Sequence, residues 1–167
     1  MTFFANTANK TPNMDTIHDF LMYDFEKQAD VSYYDNPAGY DLRRGFAEEL
    51  AWRPDWVIIQ LGDNVKNLDV PANEKSFRDG LTALYRLFAR RAAKGLVTCT
   101  VFWPHMNKVR LQQEAAAAAG VPQAKLWDLG AQDQYKAVGL FAHAGVAGHP
   151  GDRGMAMVAE RILETFS

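Results

Sequence analysis

The chain reads as one α/β domain over residues 1–167, a three-layer α/β/α sandwich around a five-stranded parallel sheet in the flavodoxin-like order 2-1-3-4-5. Three observations predict this. Strand-like and helix-like segments alternate along the sequence, and such alternation implies right-handed crossovers with helices on both sheet faces. The run Trp56–Leu61 is almost entirely apolar, with β-branched residues at its centre, the pattern of a strand buried on both faces. A chain of 167 residues, 48% hydrophobic and 23% charged, suits a single globular core.

The elements follow in order. Thr2–Ala5 is a short first strand. Residues 15–27 form a helix carrying Ile17, Phe20, Leu21 and Phe25 on one face. Val31–Tyr34 is a second strand, and residues 41–52 a second helix with Leu42, Phe46, Glu49 and Leu50 at helical spacing. After the strand Trp56–Leu61 comes the strongest helix, residues 74–93, whose Phe77, Leu81, Leu84, Tyr85, Phe88 and Ala92 repeat at three and four. Gly80 inside it costs about 1 kcal/mol against alanine, and Gly95 stops it. Leu96–Trp103 is a fourth strand. A helix over 108–119 follows, built partly from the alanines 115–119 and ended by Gly120. Residues 125–129 make a fifth strand. The last helix, 152–166, turns Met155, Val158, Ala159, Ile162 and Phe166 inward. The long loop 132–148, rich in Gly and Ala, lines the site.

Composition narrows the function. A net charge of −2 and a pI near 6.1 leave no electrostatic footprint for nucleic acid. Arg86, Arg90 and Arg91 share one side of a helix and read as a solvated face. Cys99 is the single cysteine, so no intrachain disulfide is possible, and within an apolar run it reads as a buried, inert thiol. No zinc-type spacing occurs, and no run approaches the ~20 apolar residues of a membrane span. The opening Met1-Thr-Phe-Phe lacks the features of a signal peptide. The expectation is a soluble protein, cytoplasmic if that start is natural, with no metal, no organic cofactor, and no membrane or nucleic-acid partner.

Two motifs carry chemistry. Gly62-Asp63-Asn64 follows the central strand, where ligands of open parallel sheets bind. Gly62 allows a close turn there, and the Asn64 amide is placed to donate to a developing oxyanion; an asparagine that merely closes a turn is the other reading. His149-Pro150-Gly151-Asp152 opens the last helix. His149 reads as a general base, histidine being the side chain that exchanges a proton most readily near neutral pH. The same residues also read as a helix-start turn, with Asp152 as its N-cap.

Together these motifs resemble the SGNH hydrolases, the GDSL-like esterase family, in which four blocks supply a serine, a glycine, an asparagine and a histidine. Gly62-Asp63-Asn64 matches the asparagine block and His149-Pro150 the histidine block. Phe102-Trp103-Pro104 and Asp128-Leu129-Gly130 look like connecting segments of one bacterial branch. The likeness is firm from about residue 54 onward and weak before residue 40.

The resemblance implies an acyl-transfer site, and it has gaps. The family's Gly-Asp-Ser is absent. The best match after the first strand is Ala5-Asn6-Thr7, which puts Thr7 in the serine slot and Asn6 in the Asp slot. Threonine can act as a nucleophile, although its methyl crowds the attack and stiffens χ1; a Thr7 that only begins a loop is the competing reading. Gly39, after the second strand, takes the slot of the second oxyanion donor, or is a plain loop glycine. Val146 stands where the family carries the Asp that orients the histidine, and Val65 where many members have Asp. Asp128 is a possible replacement, with a structural role as the alternative. A carboxylate at Asp63 would oppose an oxyanion, so it is expected to turn outward or pair with a cation. Trp103 and Pro104 wall the pocket, and His143 on the same loop as His149 is a candidate substrate contact.

Two functions stay open. One is an esterase acting on small carboxylic esters, with O-acetyl groups on carbohydrate as a candidate class. The other is a catalytically impaired domain that binds an acylated or carbohydrate ligand. A flavodoxin-like binding module is weaker, because residues 5–13 lack a glycine-rich anion cradle.

Overall fold

The computed structural model describes residues 2–5, 23–24, 29–30, 54–63, 65 and 68–166. Its strands are β1 (Thr2–Ala5), β2 (Tyr23–Asp24), β3 (Ala29–Asp30), β4 (Trp56–Gln60), β5 (Gly95–Cys99) and β6 (Gln123–Ala124). Its helices are α1 (Pro71–Ala89), α2 (Met106–Ala119), the single turn α3 (Trp127–Gly130) and α4 (Asp152–Glu164), with 3₁₀ turns at Asp133–Tyr135 and Ala144–Val146. The order β1-β4-β5-β6 makes a parallel sheet. The protein is therefore α/β, with a parallel sheet among the described residues.

Strand alternation explains the layers. Val57, Ile59, Leu61 and Leu96 join Phe77, Leu81, Leu84 and Phe88 of α1 and Leu111, Ala115 and Ala116 of α2 in one core. Ile58, Val97 and Cys99 point the other way, to a second core with Phe102, Leu126, Leu129 and Ile162 of α4. Successive residues of a strand face opposite sides, so α1 and α2 cover one face and α4 the other. Cys99 is fully buried, and burial pushes its thiol up to about 12, in keeping with an inert core residue. Arg90 and Arg91 lie exposed, while Arg86 donates to the Ala118 carbonyl at 2.8 Å and ties α1 to the end of α2.

Several expected elements are corrected. Helix α1 starts at Pro71, which the first helical turn accepts because its missing N–H has no partner there anyway, and it ends at Ala89. Gly95 does not stop α1; it opens β5, where a Cβ would lie 2.5 Å from the Trp56 ring. Strand β5 ends at Cys99, short of Trp103. The fifth strand is Gln123–Ala124, earlier than expected. Residues 127–130 coil into α3 because the Thr100 hydroxyl accepts the Leu126 and Trp127 N–H groups and ends the ladder there. Gly151, not Asp152, is the N-cap of α4, and no side chain caps it. Met155 and Ala159 are exposed instead of inward-facing. The reason is Gly154, where a Cβ would sit 2.0 Å from the Tyr135 carbonyl oxygen, so this backbone contact sets the rotation of α4. Within the expected helix 15–27, Tyr23–Asp24 is extended and pairs antiparallel with Ala29–Asp30. The rest of that helix, the strand 31–34 and the helix 41–52 lie outside the described residues.

Candidate active site

A cavity of about 270 Å³ opens beyond the carboxyl ends of β4 and β5. The β4 exit contributes Gln60, Leu61, Gly62 and Asp63, and the β5 exit contributes Phe102 and Trp103. His149 and Pro150 close it from the loop before α4, and Met155 and Val158 from α4 itself. The sequence motifs around residues 62 and 149, far apart in the chain, therefore share one crevice at the place open parallel sheets offer ligands. Asn6, Thr7, Gly39 and Asn64 lie outside the described residues.

Local sequence explains how the backbone reaches this geometry. Gly62 has φ +106°, a region that disfavours side chains, and a Cβ there would meet Phe77 Cζ at 3.0 Å and Gln112 Nε2 at 3.2 Å. The Val65 N–H donates to the Gly62 carbonyl at 3.2 Å, completing the turn, and Val65 is buried in the core. An apolar residue suits that place.

His149 is exposed and is held mostly through its main chain. Its N–H donates to the Val146 carbonyl at 3.0 Å, and its carbonyl accepts the Ala137 N–H at 2.8 Å. The imidazole meets the Trp103 ring edge-on, centroids 4.9 Å apart. Trp103 is fixed in turn, its indole N–H donating to the Gly148 carbonyl at 2.8 Å. An aromatic edge thus orients the histidine, and among the described residues no side chain hydrogen-bonds it. Asp128 does not supply the missing carboxylate, because its Oδ2 faces Lys125 at 3.3 Å and Arg161 at 3.5 Å. His143 is exposed, packs its ring on Gly145, and is not part of the cavity wall.

Of the two expectations for Asp63, it does not turn outward but lies near the Lys108 charge. It turns between the strand exits, where Oδ1 accepts the Phe102 N–H at 3.1 Å and Oδ2 the Gln60 amide at 2.5 Å. The nearby cation, Lys108, donates to the Asp63 main-chain carbonyl at 2.6 Å. Burial pushes the Asp63 carboxyl above the ordinary carboxylate range, while the Gln60 amide, the Lys108 charge and the Phe102 and Trp103 N–H groups oppose that rise. A raised folded pKa means the folded chain binds this proton more readily than the unfolded one. The resulting stability is fully present below pH 3.8, the ordinary value, and is lost as pH rises through the folded value. Asp63→Asn cannot titrate. Its unfolding free energy minus that of the parent should therefore grow from pH 3.8 upward and then level off. Urea unfolding across that range measures the difference, and a flat result would contradict the shift.

Lys108 and Gln112 are the participants that sequence reasoning missed. They are 7% and 0% exposed, on the inward side of α2. The available signal was Gln112 itself, a polar residue at helical spacing between Val109 and Ala116 on a largely apolar face. Among the described residues no group of His, Cys, Asp or Glu is placed to hold a metal ion, and no helix is long and apolar enough to cross a membrane. No family model, no curated protein and no solved structure matches this chain.

Proposed function

We propose that the chain is an ester hydrolase of the SGNH type, acting on small carboxylic esters, with O-acetylated carbohydrate as one candidate class. The observation that supports this reading is the convergence of His149, the Gly62–Asp63 strand exit and Trp103 on one cavity. In this mechanism the Thr7 hydroxyl oxygen attacks the ester carbonyl carbon while the His149 imidazole accepts the hydroxyl proton. The Asn64 amide and the Gly39 N–H hold the oxyanion, with Asn6 beside them. The tetrahedral intermediate then collapses, and His149 passes its proton to the leaving alkoxide. A water activated by His149 splits the acyl-threonine and restores the hydroxyl. The same reading places a strand from residues 31–34 outside β1, completing the order 2-1-3-4-5.

A second reading, a catalytically impaired domain binding an acylated or carbohydrate ligand, draws on a specific observation. The position that would orient His149 is Val146, and Asp128 is engaged with Lys125 and Arg161.

Thr7 decides between the two. Under the esterase reading Thr7→Ser raises p-nitrophenyl acetate turnover, by relieving the crowding of the γ-methyl, and Thr7→Ala abolishes it. Equal rates for the parent and both variants would leave the binding reading standing.

A further inference from the structure

We infer that Gln112 is a positioning residue for this cavity: its side-chain amide stands where the next β4–β5 rung would form and holds the two strand exits apart. The regular ladder reaches Gln60 opposite Cys99. Beyond it, Gln112 Nε2 donates to the Leu61 carbonyl at 2.7 Å, and Gln112 Oε1 accepts the Val101 N–H at 2.8 Å. Directly paired strands run about 4.8 Å apart; an amide bonded to both leaves no room for that spacing. The crevice begins at this separation, since Gln60–Asp63 line one wall and Phe102 and Trp103 another.

Helix α2 grips the same exit twice. Lys108 and Gln112 are four residues apart and share one helix face. Lys108 holds the Asp63 carbonyl, and Asp63 itself accepts the Phe102 N–H one step further out. The geometry then passes to the histidine: Val101 leads to Trp103, whose indole is bonded to the Gly148 carbonyl and whose ring edge meets His149. The Gln112 side chain bonds main-chain groups, the Leu61 carbonyl and the Val101 N–H, so it acts through the backbone it spaces. Its importance for turnover rests on the esterase reading of the cavity; the spacing itself does not.

The test uses Gln112→Met, Gln112→Glu and, as a control, Leu111→Ala, a fully buried neighbour on the same helix. Gln112→Met fills the volume and removes both bonds. The Trp103 indole N–H and His149 ring resonances should shift in it, and kcat for p-nitrophenyl acetate should fall about tenfold to a hundredfold with KM little changed. Leu111→Ala should lose stability and move neither resonance. Gln112→Glu, protonated at about pH 5 in so buried a place, has an O–H for Leu61 and an acceptor for Val101, and should restore the parent resonances. This variant keeps the test decisive if Gln112→Met does not fold. Equal shifts in Gln112→Met and Leu111→Ala would overturn the inference, as would a Gln112→Glu spectrum at that pH unlike the parent's. If the parent hydrolyses no ester, the esterase reading falls, and the resonances alone decide the role of Gln112.

Discussion

Gly62→Ala is expected to destabilise the protein by about 2–4 kcal/mol, because two penalties coincide. The first is conformational: φ +106° lies where an L-side chain is strained. The second is steric, since the new methyl would meet Phe77 Cζ at 3.0 Å and Gln112 Nε2 at 3.2 Å. Neither neighbour yields easily. Phe77 is fully buried in the core, and the Gln112 amide is bonded at both ends. For a domain of this size the melting temperature should fall by roughly 5–15 °C. Thermal melting followed by circular dichroism checks this, and a midpoint indistinguishable from the parent's would show that the turn relaxes freely. Since Gly62 also lines the cavity, the proposed esterase function would make any surviving folded protein hydrolyse esters more slowly.

Under the proposed esterase function, His149→Ala should do the reverse, leaving the fold and removing ester hydrolysis. The bonds that set its loop are main-chain bonds, to Val146 and Ala137, and survive truncation. Only the edge contact with the Trp103 ring is lost, from a residue that is already exposed. The melting temperature should therefore stay close to the parent's. If His149 is the general base of the proposed mechanism, its removal costs about 10²–10⁴-fold in turnover, and p-nitrophenyl acetate hydrolysis should drop to near background. Undiminished hydrolysis would exclude His149 as the base.

The sequence was legible where one pattern dominated. β4 and α1 follow directly from a continuous apolar run and from apolar residues at three and four. The crevice was legible for a similar reason: a glycine at a strand end and a histidine before a helix have few places to go in a parallel α/β fold. Long-range competition hid the rest. The Thr100 hydroxyl captures two N–H groups that a longer fifth strand would have needed. Gly95 looks like a helix stop and instead makes room for an indole. The periodicity of α4 pointed to Met155 and Ala159, but the backbone approach at Gly154 outranks it. Gln112 and Lys108 were overlooked because polar residues on a helix are usually solvated, and nothing local marks which carbonyl they will reach.

The segment bearing His149 is fastened peptide to peptide. Gly151 N–H meets the Tyr135 carbonyl at 3.0 Å, Lys136 bridges to Pro150, and α4 rests on Tyr135 through Gly154. This anchorage needs the bare backbone of Gly154 but draws little on the side chains of the neighbouring exposed stretch. The exposed residues Val138, Leu140 and Phe141 nearby are accordingly open to evolutionary drift and to laboratory diversification. A library randomised at those three positions could alter what approaches the crevice while the imidazole keeps its post.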